Sequence, residues 1–182
     1  AAAALEAVTD PEGPPIPFAI IAVGKWGGRE LNYASDIDVL FAYHVPAGED
    51  PGIAAERAQR IAAAFLDCLG RHTAGGPAYR VDADLRPEGR AGPLARTVES
   101  YRAYWERWAR PWELQALIKA RAAAGDPEVG RAFLAAAEPL VYPECLPPDA
   151  VREVRAMKGR AESLAARRGA CRQGAGAGGP GR

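Results

Sequence analysis

The chain has 182 residues, enough for one domain with a true core or for a core with a helical appendage. Its 48% apolar and 25% charged residues are usual for a globular protein, and 23 basic residues balance 23 acidic ones, against the basic excess of a dedicated nucleic-acid binder. Scattered Cys68, Cys145 and Cys171, with His44 and His72, argue against a disulfide framework or a zinc centre, and no apolar run reaches membrane-spanning length.

In chain order, residues 1–15 read as a linker or the remnant of an upstream helix: Ala1–Val8, then the proline-rich Asp10-Pro11-Glu12-Gly13-Pro14-Pro15. The start lacks the basic region and apolar segment of a signal peptide, so a cytoplasmic location is expected, with neither nucleic acid nor membrane as partner. A first residue other than methionine fits a fragment. Residues 16–96 carry the strand candidates: Phe18–Val23, then a glycine-rich turn, then Ile37–Tyr43. Ile53, Ala54, Ala58, Ile61, Phe65, Cys68 and Leu69 recur at helical spacing and predict an amphipathic helix stopped by Gly70. Ala78–Leu85 reads as a third strand.

Residues 97–168 read as a helical extension of the same domain. Thr97 or Ser100 can cap a helix carrying Tyr101, Tyr104, Trp105 and Trp108 on a buried face. Pro111 ends or kinks it, and Trp112–Ala123 is expected to restart it up to Gly125. Asp126-Pro127 opens another helix, and Pro147-Pro148-Asp149 a last one from about Ala150 to Arg168. Residues 169–182 are a low-complexity tail expected to be disordered. Strands early and helices late predict an α+β class, a small mixed sheet flanked by helices.

The chemistry concentrates in two stretches. On a strand, Asp36 and Asp38 point to one side while Ile37 and Val39 point to the other. Two like charges side by side repel, and a divalent cation removes that repulsion. Two-metal nucleotidyl transfer needs about three carboxylates around two cations roughly 4 Å apart. Asp82 and Asp84, co-facial on the next acidic strand, are the candidates for the third. Two magnesium ions bound by Asp36 and Asp38, with Asp82 or Asp84 as the third carboxylate, are therefore expected. An isolated Asp-x-Asp also fits a solvent-facing strand, but the preceding glycine turn and the second acidic strand favour the metal site.

Gly24, Gly27 and Gly28 let backbone N–H groups approach phosphate, with Lys25 adding charge and Ser35 a hydroxyl. Arg86 and Arg90 flank Pro87-Glu88-Gly89, and guanidinium suits bidentate phosphate binding. Lys119 and Arg121, on the expected restarted helix with Glu113 and Gln115, are further phosphate candidates. Trp105, Trp108 and Trp112 read as core before they read as a platform for adenine.

Gly24-Lys25-Trp26-Gly27-Gly28-Arg29-Glu30-Leu31-Asn32-Tyr33-Ala34-Ser35-Asp36-Ile37-Asp38 resembles the signature of the glutamine synthetase adenylyltransferase/adenylyl-removing family. Tyr79–Arg90 and Trp112–Arg121 are similar to two further blocks in the same order and spacing, and the likeness runs from about residue 16 to residue 168. The resemblance implies a polymerase-β-like nucleotidyltransferase fold with residues 16–96 as catalytic core, and one of the two such domains that the family joins in a long, multifunctional chain. One domain transfers AMP from ATP to a tyrosine of glutamine synthetase; the other removes it by phosphorolysis and releases ADP, with PII signal proteins and glutamine setting the balance of this control of nitrogen metabolism. By position, Asp36, Asp38 and Asp82 match the family's metal-binding acids. Asp84 stands where many members have arginine, which leaves the roles of Asp82 and Asp84 open. Glu30-Leu31-Asn32-Tyr33 and Met157-Lys158-Gly159-Arg160 resemble the removing half, with the ATP-dependent transferring half, or an inactive truncated binding module, as alternatives.

Overall fold

Strand β1 (Phe18–Ala22) is buried at every position and sits inside the sheet. The computed structural model describes residues 15–32, 35–70, 72–73, 76–77, 79–145, 151–152 and 155–156. The chain divides after Pro143 into two units, and the fold below is that of the first, Ala1–Pro143. The expected upstream helix, most of the last helix and the low-complexity tail lie outside the described residues.

After β1 come a one-turn helix α1 (Gly24–Gly27), strand β2 (Ile37–Tyr43) and helix α2 (Pro51–Gly70). A two-residue hairpin follows, β3 (His72–Thr73) with β4 (Gly76–Pro77). Strand β5 (Val81–Asp82), a 3₁₀ turn (Gly89–Ala91) and strand β6 (Ala95–Thr97) lead into helix α3 (Val98–Arg107). Helix α4 (Pro111–Ala116), strand β7 (Arg121–Gly125) and helix α5 (Pro127–Val141) complete the unit.

The main sheet runs β5-β2-β1-β7, with β6 also on β2. β1 pairs antiparallel with β2, Phe18 opposite Tyr43 and Ala22 opposite Val39. β5 and β6 both run parallel to β2, along its other edge. Helices cover both faces, so β1 and β2 read as continuous apolar runs rather than alternating ones. On one face Ile20, Val39 and Phe41 meet Ala54, Ala58, Ile61 and Phe65 of α2. On the other, Ala19, Ile21, Leu40 and Ala42 meet Tyr101 and Trp105 of α3 and Val129 and Phe133 of α5. The Tyr101 ring packs edge-on to Phe133 at 5.0 Å, and its hydroxyl donates to the Phe41 carbonyl at 3.2 Å, crossing from helix to sheet.

The caps follow sequence chemistry. Thr97 Oγ1 accepts from the Ser100 N–H, and Asp126 accepts from the Glu128 and Val129 N–H groups ahead of Pro127. Three expectations are corrected. The third strand is only Val81–Asp82, because the chain turns at once after Asp82 and its carboxylate takes the Asp84 N–H. The helix restarted at Pro111 stops at Ala116, and Arg121–Gly125 is a strand on β1, so the sheet draws strands from both halves of the chain. Trp105 is buried, but Trp108 is 72% exposed at the C-terminal end of α3 and Trp112 is partly exposed. The α+β class stands, as a five-stranded mixed sheet flanked by helices. No described helix is long and apolar enough to cross a membrane.

Candidate active site

The site forms where β1 hands the chain to α1. Gly24 has φ +55°, and a Cβ there would land on the Asp38 carboxylate. Glycine is therefore needed twice over, for the left-handed turn and for the acid's approach. The Val23 N–H donates to the Asp38 carbonyl at 3.1 Å, tying the turn to β2. Gly27 sits against the Lys119 and Ala22 carbonyls, where no side chain fits.

Parallel pairing of β2 with β5 sets Ile37 opposite Val81 and Asp38 opposite Asp82. Asp36 immediately precedes β2, and its charge, like that of Asp82, is felt by Asp38, so three carboxylates lie near one another at one end of the sheet. Asp38 is half-buried, and no described residue donates a hydrogen bond to its carboxylate. Burial raises its pKa above the ordinary value, and the charges of Asp82 and then Asp36 raise it further, with Lys25 opposing.

The fourth acid is placed differently. Asp84 lies in the turn after β5 and is paired with Arg90 Nε at 2.7 Å and more loosely with Arg86 Nη1 at 3.4 Å. Arg86 is buried and donates to the carbonyls of Ala83 (2.7 Å) and Gly92 (3.1 Å), so it braces the loop that carries Asp82 and Asp84. Arg90 stands in solvent.

Around the glycine turn, Lys25 Nζ donates to Ser35 Oγ at 3.3 Å, and Ser35 Oγ donates to Asn32 Oδ1 at 2.6 Å. Lys119 and Arg121 reach the same turn from the far side of the chain. Lys119 Nζ pairs with Glu30 at 2.6 Å, and Arg121 donates to the Gly27 and Trp26 carbonyls at 3.3 Å each. Both therefore clamp the loop that carries the glycines. Neither is on a helix: Lys119 is in a turn and Arg121 begins β7.

Sequence reasoning missed Arg80. Its Nη2 donates to Asp36 Oδ2 at 2.6 Å, and no local pattern signals a pair that spans 44 residues. Arg80 also lines a cavity of about 620 Å³ at the sheet edge, together with Asp36, Tyr79, Asp82 and Arg90.

The donor set fits a hard divalent cation: oxygen ligands only, three carboxylates, and like charge that a cation would relieve. Among the described residues no three acids, histidines or cysteines are already gathered as a metal cage. Asp36 is engaged by Arg80 and one Asp82 oxygen by the Asp84 N–H. Those are the contacts a cation would compete with.

The family model described as glutamate-ammonia ligase adenylyltransferase matches residues 2–136. A bifunctional glutamine synthetase adenylyltransferase/adenylyl-removing enzyme of Mycobacterium marinum is 50% identical over 147 residues, 81% of this chain and 14% of its own length. The protein of the same name from Streptomyces coelicolor is 47% identical over 157 residues, 86% of this chain and 16% of its own. That from Mycobacterium leprae is 47% identical over 147 residues, 81% and 13%. The chain thus spans between 13% and 16% of the length of these relatives.

Proposed function

We infer function from one premise: the chain belongs to the glutamate-ammonia ligase adenylyltransferase family. We propose that it is a nucleotidyltransferase domain that controls glutamine synthetase through reversible adenylylation of a tyrosine, and that it is the adenylyl-removing half. The observation that carries the reading is the β2–β5 register, with Asp38 beside Asp82 and Asp36 next to the start of β2. The choice of half is supported by Glu30-Leu31-Asn32-Tyr33, which resembles that half.

In this reading Asp36, Asp38 and Asp82 hold magnesium, which when bound neutralises phosphate oxygens and aligns them. The chain's own part is positional. Backbone N–H groups at the start of the 24–28 turn face the phosphates, those of Gly27 and Gly28 being given to the Val23 and Gly24 carbonyls. Lys25 and Ser35 add a charge and a hydroxyl, and Arg86 keeps the loop of Asp82 in place. Lys119 and Arg121 act on phosphate through the turn they clamp. Arg90 offers a guanidinium at the open side. In the reaction an oxygen of inorganic phosphate attacks the phosphorus of the tyrosyl-AMP ester. The bond to the tyrosine oxygen breaks, the phenolate takes a proton, and ADP leaves. PII proteins would act on the longer protein.

The test supplies adenylylated glutamine synthetase with phosphate and Mg²⁺, and separately unmodified glutamine synthetase with ATP and Mg²⁺. Phosphate-dependent ADP release is the expected result. AMP incorporation instead would assign the transferring half, and neither product would leave this chain without the activity.

A further inference from the structure

Among the described basic residues whose partners surround the acids, Arg80 stands apart from Lys25, Arg86, Arg90 and Lys119. Lys25 contacts Ser35, Arg86 is anchored on carbonyls, Arg90 pairs with Asp84 and Lys119 with Glu30. Arg80 alone of these is hydrogen-bonded to one of the three acids proposed above to hold a cation. The pair is open to solvent, with the Arg80 side chain 79% exposed. Ion pairs this exposed are weak, and a divalent cation coordinated by the same oxygen replaces one easily. Released from Asp36, the guanidinium remains at the wall of the 620 Å³ cavity, beside Tyr79 and Arg90. Its planar fork matches the oxygens of a phosphate group.

We propose that Arg80 is a placeholder counter-ion: it neutralises Asp36 in the metal-free protein, yields that carboxylate to the incoming cation, and then takes a phosphate oxygen of the substrate. This rests on the reading of Asp36 as a metal ligand. Arg80 thus binds the substrate once the cation has released it, and it makes cation binding and phosphate binding cooperative. A merely structural Arg80 would have the opposite signature, since its loss would loosen the site and weaken cation binding.

The experiment titrates the full chain with Mn²⁺, followed by electron paramagnetic resonance of the free ion, with and without inorganic phosphate. It compares wild type with Arg80→Gln, Arg90→Gln and Asp36→Asn. Without phosphate, Arg80→Gln is expected to bind Mn²⁺ about two- to five-fold more tightly than wild type, the range set by an exposed ion pair. Arg90→Gln removes the same charge from the same cavity but leaves Asp36 paired, so it should tighten binding less. With phosphate present, the gain in Mn²⁺ affinity seen for wild type should shrink in Arg80→Gln. Unchanged or weaker Mn²⁺ binding by Arg80→Gln, or equal tightening by both arginine variants, overturns the proposal while leaving the metal site intact. If wild type binds no Mn²⁺, or Asp36→Asn binds it as wild type does, the reading of Asp36 fails and the placeholder role with it.

Discussion

At the scale of single residues, Asp38 shows what the site costs the fold. Its carboxylate is half-buried, takes no hydrogen bond from any described residue and lies opposite Asp82 across the parallel pair, and its pKa is raised, by burial first and then by Asp82 and Asp36. A carboxyl that holds its proton more tightly when folded makes the native state bind more protons than the unfolded one. Stability therefore declines as pH rises from the ordinary value of 3.8 through the raised folded value, and the deficit is complete above it. With divalent metal chelated, Asp38→Asn should stabilise the protein at pH 7 by roughly 0.2–1 kcal/mol, the range for a like-charge cross-strand pair. The gain should vanish at pH 3. Urea melts at the two pH values measure it, and a loss of stability at pH 7 would show that Asp38 has a hidden partner. These acids were legible in the sequence because strand periodicity alone puts Asp36 and Asp38 on one face. The separation of Asp82 from Asp84 was not, because it depends on a turn that starts directly after Asp82.

At the scale of elements, β7 is where local preference and fold part company. Trp112–Ala123 is rich in alanine, the best helix former, and the stretch reads as a helix. Yet Arg121–Gly125 pairs with β1 through a bulge at Ile20/Ile21, because β1 needs a partner on its free edge and α5 comes very close behind it. A Cβ at Gly130 would lie 2.7 Å from that of Ala122, so only small residues fit between strand and helix. Alanine here records close packing rather than helix, and one sequence cannot tell the two apart. The same strand delivers Arg121 to the Trp26 and Gly27 carbonyls. Arg121→Met should therefore lower stability by about 1–3 kcal/mol even without nucleotide, as expected for bonds to a charged donor. Chemical denaturation checks this. An unchanged midpoint would mean that Arg121 contributes only to ligand binding.

At the scale of the molecule, two apolar layers around one sheet hold the strand ends that carry the acids. The layers were readable from apolar runs too continuous for an open sheet face, and the α2, α3 and α5 helices from their caps and spacing. The clamp of Lys119 and Arg121 on the glycine turn was not, since its contacts join residues about 90 positions apart. Under the proposed reading, those layers carry the strand ends of a metal–nucleotide site, and the Asp36–Arg80 pair stays exposed where it can open. Thermal unfolding with Mg²⁺ plus ATP or ADP tests most directly whether Asp36, Asp38 and Asp82 form a magnesium-dependent nucleotide site. The melting temperature should rise for wild type only when metal and nucleotide are both present, and should not move in the Asp36→Asn/Asp38→Asn double variant. A wild-type curve indifferent to both together, or a double variant that responds as wild type does, would contradict it.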